Sequence, residues 1–339
     1  MSKSIRAWLI SDGKIGDEVQ CLGILAGLGL TPERRRIAPR KIFAAAMPWG
    51  PIDPRDSRDR AASPLNGPLP DLVVSAGRRC VPYVRYLKRL SRGAIFTVFV
   101  KDPYCRSGID VIWAPDHDRL RGDNVVTTLT PANRLTAEII AAARAAPDSR
   151  IAALPAPRVA IMLGGPSKHH RFGTKEDYEL ETIATALASN GASVMVTPSR
   201  RTPERLTDTL RRALFDKPLA DRAFVWDGQS DNPGDNPQDN PYVAMLANAQ
   251  SIIVTGDSVN MIGEALASGV PVHVYEPSGG HPKITAYIDA LAARGLVRRW
   301  RGALESWDYA PVNVTAAIAA EIARRYGAFR AKKGGTPPP

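Results

Sequence analysis

The residues best suited to chemistry stand in short polar loops that directly follow apolar runs. The richest is TGDSVNMIGEALASGVPVHVYE, residues 255–276. A strand ends at Thr255-Gly256, and Asp257 or Ser258 can cap the following helix by accepting its free N–H groups. The helix is expected to run to Ser268, with Gly269 closing it and Pro271 starting the next strand. A helix N-terminus at the carboxyl end of a sheet is where α/β proteins hold phosphate, because unsatisfied N–H groups and the helix dipole face the anion. Glu264 stands about two turns in, on a face able to reach a ribose diol. A purely structural helix with Glu264 in solvent would show the same pattern.

Three further loops belong with it. LGGPSKHH, residues 163–170, sets two glycines after a strand, where backbone can approach a ligand closely; Ser167 and Lys168 offer a hydroxyl and a cation. SDGKIGDEVQ, residues 11–20, follows the first strand; Asp12 or Asp17 could act as general base, and Lys14 could offset developing negative charge. TPSRRTP, residues 197–203, places Ser199, Arg200 and Arg201 after another strand, and guanidinium groups suit a diphosphate. Each also reads as an ordinary capped or charged turn. Neither Walker A nor GxGxxG is present. His169 and His170 lack a third ligand at metal-binding spacing, so no metal is expected. Asp116-His117-Asp118 spells DxD but reads as a loop, and the DNP repeat at 231–241 reads as a duplicated surface turn.

The elements that must position these loops alternate. Apolar runs at 5–10, 72–75, 95–100 and 111–114 read as strands, with helices over 17–28 and 82–90. After an Ala/Pro-rich stretch at 145–157, read as a linker, a second series begins. Its strands are 158–163, 193–197, 223–226, 252–254 and 272–275, with helices over 175–189 and 203–215. The expected fold class is α/β, two doubly wound halves in tandem. The expected domains are 1–150 and 151–330, the last helix spans 314–326, and a disordered tail covers 331–339. Residues 51–68, Pro-rich and charged, read as a surface loop.

Composition narrows the classes. The chain has 339 residues and a net charge of +11, which suits a nucleotide-sugar, a lipid headgroup or an anionic membrane surface. An Arg-rich, high-GC genome would write the same excess. Aromatic residues are few and form no stacking set, so no nucleic-acid partner is expected. Cys21, Cys80 and Cys105 lie far apart and suggest a reducing compartment. No apolar run approaches the ~20 residues of a membrane span. The expected location is therefore cytoplasmic, peripheral at the inner membrane.

Laid out in order, these segments resemble the mitochondrial fission (elongated-mitochondria) family. The resemblance rests on DGKIGDEVQ (12–20), DLVVSAGR (71–78), VFVKDPYCRSGIDVIWAPDHD (98–118), NRLT (133–136), IMLGGPSKHHRF (161–172), TPSRRTP (197–203), VWDG (225–228), DNPY (239–242), the 255–276 segment and GLVRRW (295–300). It implies a GT-B fold, two Rossmann-like domains with an interdomain cleft. The second half is similar to enzymes that glycosylate lipid-linked peptidoglycan and lipid A intermediates. On that likeness Glu264 would hold a nucleotide ribose, Gly256, Asp257 and Ser258 a diphosphate, and PSGGHPK at 277–283 would lie near the donor sugar. The function so implied is metal-independent sugar transfer from a nucleotide-sugar donor, with no other cofactor, to a membrane-presented lipid or envelope acceptor. The donor would be held by Gly164, Gly165, Ser167, Lys168, Ser199, Arg200, Gly256, Asp257, Ser258, Asn260 and Glu264. Asp12, Lys14 and Asp17 would be catalytic. Two departures stand out: Asp17 replaces the His of the family's G-H-x-x-Q loop, and Asn133 is preceded by Pro131-Ala132 where the family often carries His. They favour the alternative, a non-catalytic membrane adaptor. An epimerase built on GxGxxG and Tyr-xxx-Lys is not supported, since Lys88 lies five residues after Tyr83.

Overall fold

The computed structural model describes residues 5–215, 219–226 and 240–334. The chain forms two compact units. The first comprises residues 1–134 and 314–339, the second 135–313.

The first unit opens with β1 (Ala7–Ser11), α1 (Ile15–Gly27), β2 (Glu33–Arg36) and α2 (Lys41–Ala46). There follow β3 (Leu72–Ala76), α3 (Val81–Leu90), β4 (Phe96–Val100), β5 (Val111–Pro115) and β6 (Val125–Thr128). All strands are parallel in the order β2-β1-β3-β4-β5-β6. The central strands are buried throughout and mostly apolar, as LVVSA and FTVFV show, because both sheet faces are covered. One face packs on α1 through Leu9, Val74, Ile24 and Leu25; the other packs on α3 through Val73, Phe99, Tyr83 and Val84.

The second unit begins with α4 (Ala137–Ala145), α5 (Ser149–Ala152), β7 (Arg158–Leu163), α6 (Thr174–Ser189), β8 (Ser193–Pro198), α7 (Glu204–Phe215) and β9 (Ala223–Val225). It continues with α8 (Tyr242–Asn248), β10 (Ser251–Thr255), α9 (Val259–Leu266), β11 (Val272–Tyr275), α10 (Pro282–Ala292) and β12 (Arg298–Arg299). The parallel order is β12-β11-β10-β7-β8-β9, the Rossmann order, with its reversal between β7 and β10. The first unit reverses between β1 and β3 instead.

The last helix, α11 (Thr315–Lys332), belongs to the first unit. It lies beside α1 and buries Ile318, Ile322 and Tyr326 over Phe96, whose ring meets Tyr326 edge-on at 5.4 Å. The matching place in the second unit, beside α6, is a trough of about 710 Å³ running from Tyr178 to Asn190 and floored by Val274, Tyr275 and Trp300.

Several expectations are corrected. The stretch 145–157 is no linker: it holds α5 and buries Ile151 and Leu154, and the chain passes between units at 134–135 and 313–314. The expected second domain, 151–330, therefore loses its last helix to the first unit. That helix does not stop at 326, because Phe329 continues its apolar face onto Phe96, so residues 331 and 332 are helical. Residues 335–339 lie outside the described residues, as do most of the DNP repeat and the end of VWDG. The 51–68 loop is anchored by three buried residues, Asp53, Ser63 and Leu65. Arg40 grips Asp53 with two bonds of 2.9 Å, which hold that carboxyl far below the ordinary range.

Candidate functional site

In the second unit the reversal between β7 and β10 brings two glycine turns together. Ligands of open α/β sheets bind outside the strand carboxyl ends at such a reversal. Thr255 Oγ1 accepts from the Gly164 N–H at 2.7 Å and donates to Asp257 Oδ1 at 2.7 Å. The Gly165 N–H donates to Asp257 Oδ2 at 3.0 Å. Arg201, from the turn after β8, closes the arrangement: its guanidinium donates to Asp257 Oδ2 and to the Gly165 carbonyl, both at 2.7 Å. The Asp257 side chain is fully buried. A Cβ on Gly164 would stand 2.2 Å from Asp257 Oδ1, and one on Gly165 1.9 Å from the Arg201 carbonyl oxygen. Both glycines are therefore fixed by close approach rather than by a left-handed backbone.

The rest of the 164–173 turn is built the same way. The Ser167 hydroxyl accepts from the His169 and His170 N–H groups, both at 3.1 Å. The turn then docks on the loop after β11, with Arg171 N–H to Ser278 O at 2.8 Å and Gly280 N–H to His169 O at 2.7 Å. Glu176 joins the two loops, accepting from the Gly173 N–H at 2.7 Å and the Ser278 N–H at 3.1 Å. Burial opposes its charge, yet the bonds from Ser278 and Gly173 bring its carboxyl down to about 2. His170, buried, is pushed below its ordinary value by desolvation, which the neighbouring Asp257 partly offsets. His169 faces His281 with ring centroids 4.4 Å apart.

Helix α9 starts at this reversal. Its cap is Ser258, whose Oγ accepts from the Met261 N–H at 3.4 Å; Asp257 faces inward instead. The Gly256 N–H is committed to the Tyr275 carbonyl at 2.7 Å. Asn260 is half-buried in the first turn of α9. Glu264, also half-buried, accepts from the Tyr242 hydroxyl at 2.5 Å. Burial and the Glu264 charge hold that phenol well above its ordinary range. Ser199 folds back to Leu163, its N–H donating to that carbonyl at 2.8 Å, while Arg200 and Lys168 are exposed. Thus Gly164, Gly165, Ser167, Ser199, Asp257 and Ser258 converge, with Asp257 and the glycines shaping the turns. Lys168 and Arg200 extend from those turns to solvent. Glu176 and Tyr242 are additions, while Arg201 and His281 lie in loops that the sequence singles out without a role of their own. Arg201 could not be told from Arg200 by type or spacing, and His281 reaches His169 only through the sheet topology.

In the first unit Asp12, Lys14 and Asp17 do come together at the reversal between β1 and β3. An ideal Cβ on Gly77, where φ is +88°, would stand 3.3 Å from Asp17 Oδ2 and 3.7 Å from Asp12 Oδ1. Lys14 Nζ lies 3.7 Å and Arg79 Nη1 4.0 Å from Asp12 Oδ2, a buried oxygen with no hydrogen bond among the described residues. Asp17 is bound to Lys101 at 2.6 Å. Lys101 itself sits at φ +71°, a costly conformation for a side chain with a Cβ. Both carboxylates thus face cations, but Asp12 keeps an oxygen that accepts no hydrogen bond among the described residues, whereas Asp17 is hydrogen-bonded to Lys101. Asp116–Asp118 forms a single 3-10 turn. Among the described residues no group of three or more His, Cys, Asp or Glu is placed to hold a metal.

Parallel six-stranded sheets in both units, each with loop clusters at the carboxyl side of its reversal, define an α/β protein with two Rossmann-like domains in tandem. The chain belongs to the Mitochondrial fission ELM1 family, whose sequence profile matches residues 15–326. It is 29% identical over 291 residues to the mitochondrial fission protein ELM1 of Arabidopsis thaliana, covering 78% of this chain and 65% of that protein, so it spans about two thirds of the plant relative's length. Among solved structures it is similar to Acinetobacter baumannii MurG, with 12% identity, 98% and 96% of the two chains covered and a TM-score of 0.47. It is likewise similar to a UDP-GlcNAc 2-epimerase of Methanocaldococcus jannaschii, with 11% identity, 94% and 98% covered and a TM-score of 0.48.

Proposed function

We propose that the protein is a GT-B-like, metal-independent glycosyltransferase that moves a sugar from a nucleotide donor to a membrane-presented lipid or envelope acceptor. The observation that carries this reading is the set of turns after β7, β8 and β10, pinned by buried Asp257 where an α/β sheet holds anionic ligands. The start of α9, with Ser167, Lys168 and Arg200, binds the diphosphate; Glu264, oriented by Tyr242, accepts from the ribose. Asp12 takes the acceptor's proton and Lys14 offsets the charge that develops. Binding energy is then held in turns that are ordered before the ligand arrives, which lowers the entropy cost of binding.

The test is thermal stabilisation by UDP, GDP, CMP and ADP, alone and as sugar conjugates. A ligand at 100 times Kd adds about 2.7 kcal/mol to the folded state. One nucleotide should raise Tm, and Glu264→Ala and Lys168→Ala should each reduce the shift; Lys168 is exposed, so its loss does not disturb folding. No shift with any nucleotide rejects the reading. A second reading, a non-catalytic membrane adaptor, is favoured by Asp17: it stands where the family often has His, and it is tied to Lys101. It requires that Glu264→Ala leave the cellular phenotype intact.

A further inference from the structure

Helix α2 packs inward through Ala44 and Phe43, yet its remaining apolar side chains, Ile42, Ala45 and Ala46, are exposed, as is Trp49 in the extended turn just past its end. Ile42 is 75% and Trp49 69% exposed, the two most extreme values among the exposed Ile and Trp side chains described. The turn that presents Trp49 is fixed, with the Gly50 N–H on the Ala46 carbonyl at 2.8 Å.

Beside these side chains a cavity of about 210 Å³ is walled by Trp49 and Ile52 on one side and by Pro82, Arg85 and Arg89 of α3 on the other. Arg85 and Arg89 are four apart and share one face of α3. Lys41, exposed, flanks Ile42 at the start of α2. Of the carboxylates in this loop, Asp53 is buried and paired with Arg40 and Arg55, and Asp56 accepts from the Tyr83 hydroxyl of α3. The patch is therefore apolar at its centre and cationic at its rim.

We propose that this surface docks the first unit on an anionic bilayer, with Trp49 and Ile42 entering the headgroup–acyl boundary and Arg85 and Arg89 receiving a lipid phosphate. The chemistry is complementary on both counts: interfacial Trp favours that depth, and cations near an anionic leaflet each contribute about 1 kcal/mol. The inference draws on the membrane-presented acceptor of the preceding section for its setting only, and none of these residues belongs to the nucleotide site.

The experiment is co-sedimentation of the full chain with phosphatidylcholine vesicles, with and without phosphatidylglycerol. Binding is expected only with phosphatidylglycerol and should fall with salt. The double variant R85Q/R89Q should lose about 25-fold in partitioning, the effect of two cations. W49S and I42S should each weaken binding while leaving Tm unchanged, since both side chains are exposed. Equal binding to the two vesicles, or variants that bind as the parent does, overturns the proposal. So does a short DNA duplex held with the same dependence on Arg85, Arg89 and Trp49. Nucleotide stabilisation of the same variants is read in parallel: vesicle binding without it rejects sugar transfer alone, and the converse rejects this surface alone.

Discussion

Asp257 organises its surroundings through three donors, Gly165 N–H, the Thr255 hydroxyl and Arg201, and so fixes the position of backbone that a ligand would meet. Such a network of buried polar groups depends on pH through its titratable neighbours. Glu176 and His170 both have folded values below their ordinary ones. For each, the unfolded chain binds the proton first, so stability is full above the unfolded value and is lost as pH falls. His170 should begin to cost stability below about 6.5, and Glu176 from 4.5 down to about 2, a contribution of at most about 3 kcal/mol. Denaturant midpoints measured from pH 7 to 3 should decline in those two windows, and Glu176→Gln should flatten the lower one; an unchanged profile in that variant would sink the assignment. At this scale the sequence disclosed the glycines, Ser258 as one of two possible caps, and the loops that matter. It did not disclose that Asp257 points inward or that Arg201 rather than Arg200 holds it, because those facts depend on three turns from distant parts of the chain meeting at one reversal.

Among the elements, legibility followed burial. RVAIML, LVVSA and FTVFV are runs that only doubly covered strands require, and all three are central strands. β2, written ERRR, and β12, written RR, carry no apolar signal because each is an edge strand with water on its open side. Helix α2 carries no readable period, because KIFAAA is only six residues long and apolar on both its buried and its exposed sides. Helix α11 was seen, but its partner was not: apolar spacing shows that a helix has a buried face and does not say which sheet it covers. Since Ile318 and Ile322 are fully buried against the first unit, Ile322→Ala should destabilise that unit by about 2–4 kcal/mol. Proteolysis of the 1–134 region should quicken in parallel, while digestion of 135–313 should proceed at the parent's rate. Equal acceleration in both units would mean that they unfold as one.

At the scale of the whole molecule, one unit is continuous in sequence and the other is not. Among the described residues, 135–313 hold the six strands of the second sheet and the helices that cover it, so this segment expressed alone should unfold cooperatively, as followed by circular dichroism in urea. Residues 1–134 alone lack α11 and leave Phe96, Val98 and Trp113 under-covered, so they should bind a hydrophobic dye and lack a sharp transition. Adding residues 314–334 as a peptide should restore the transition; a cooperative 1–134 fragment without it would refute the dependence. The same division sets a timetable. On the ribosome the first 134 residues emerge early but cannot close their core, while the middle segment can fold as soon as its last strand is free. The part of the chain made first is thus finished last, and throughout elongation its open face is what a nascent-chain chaperone would meet.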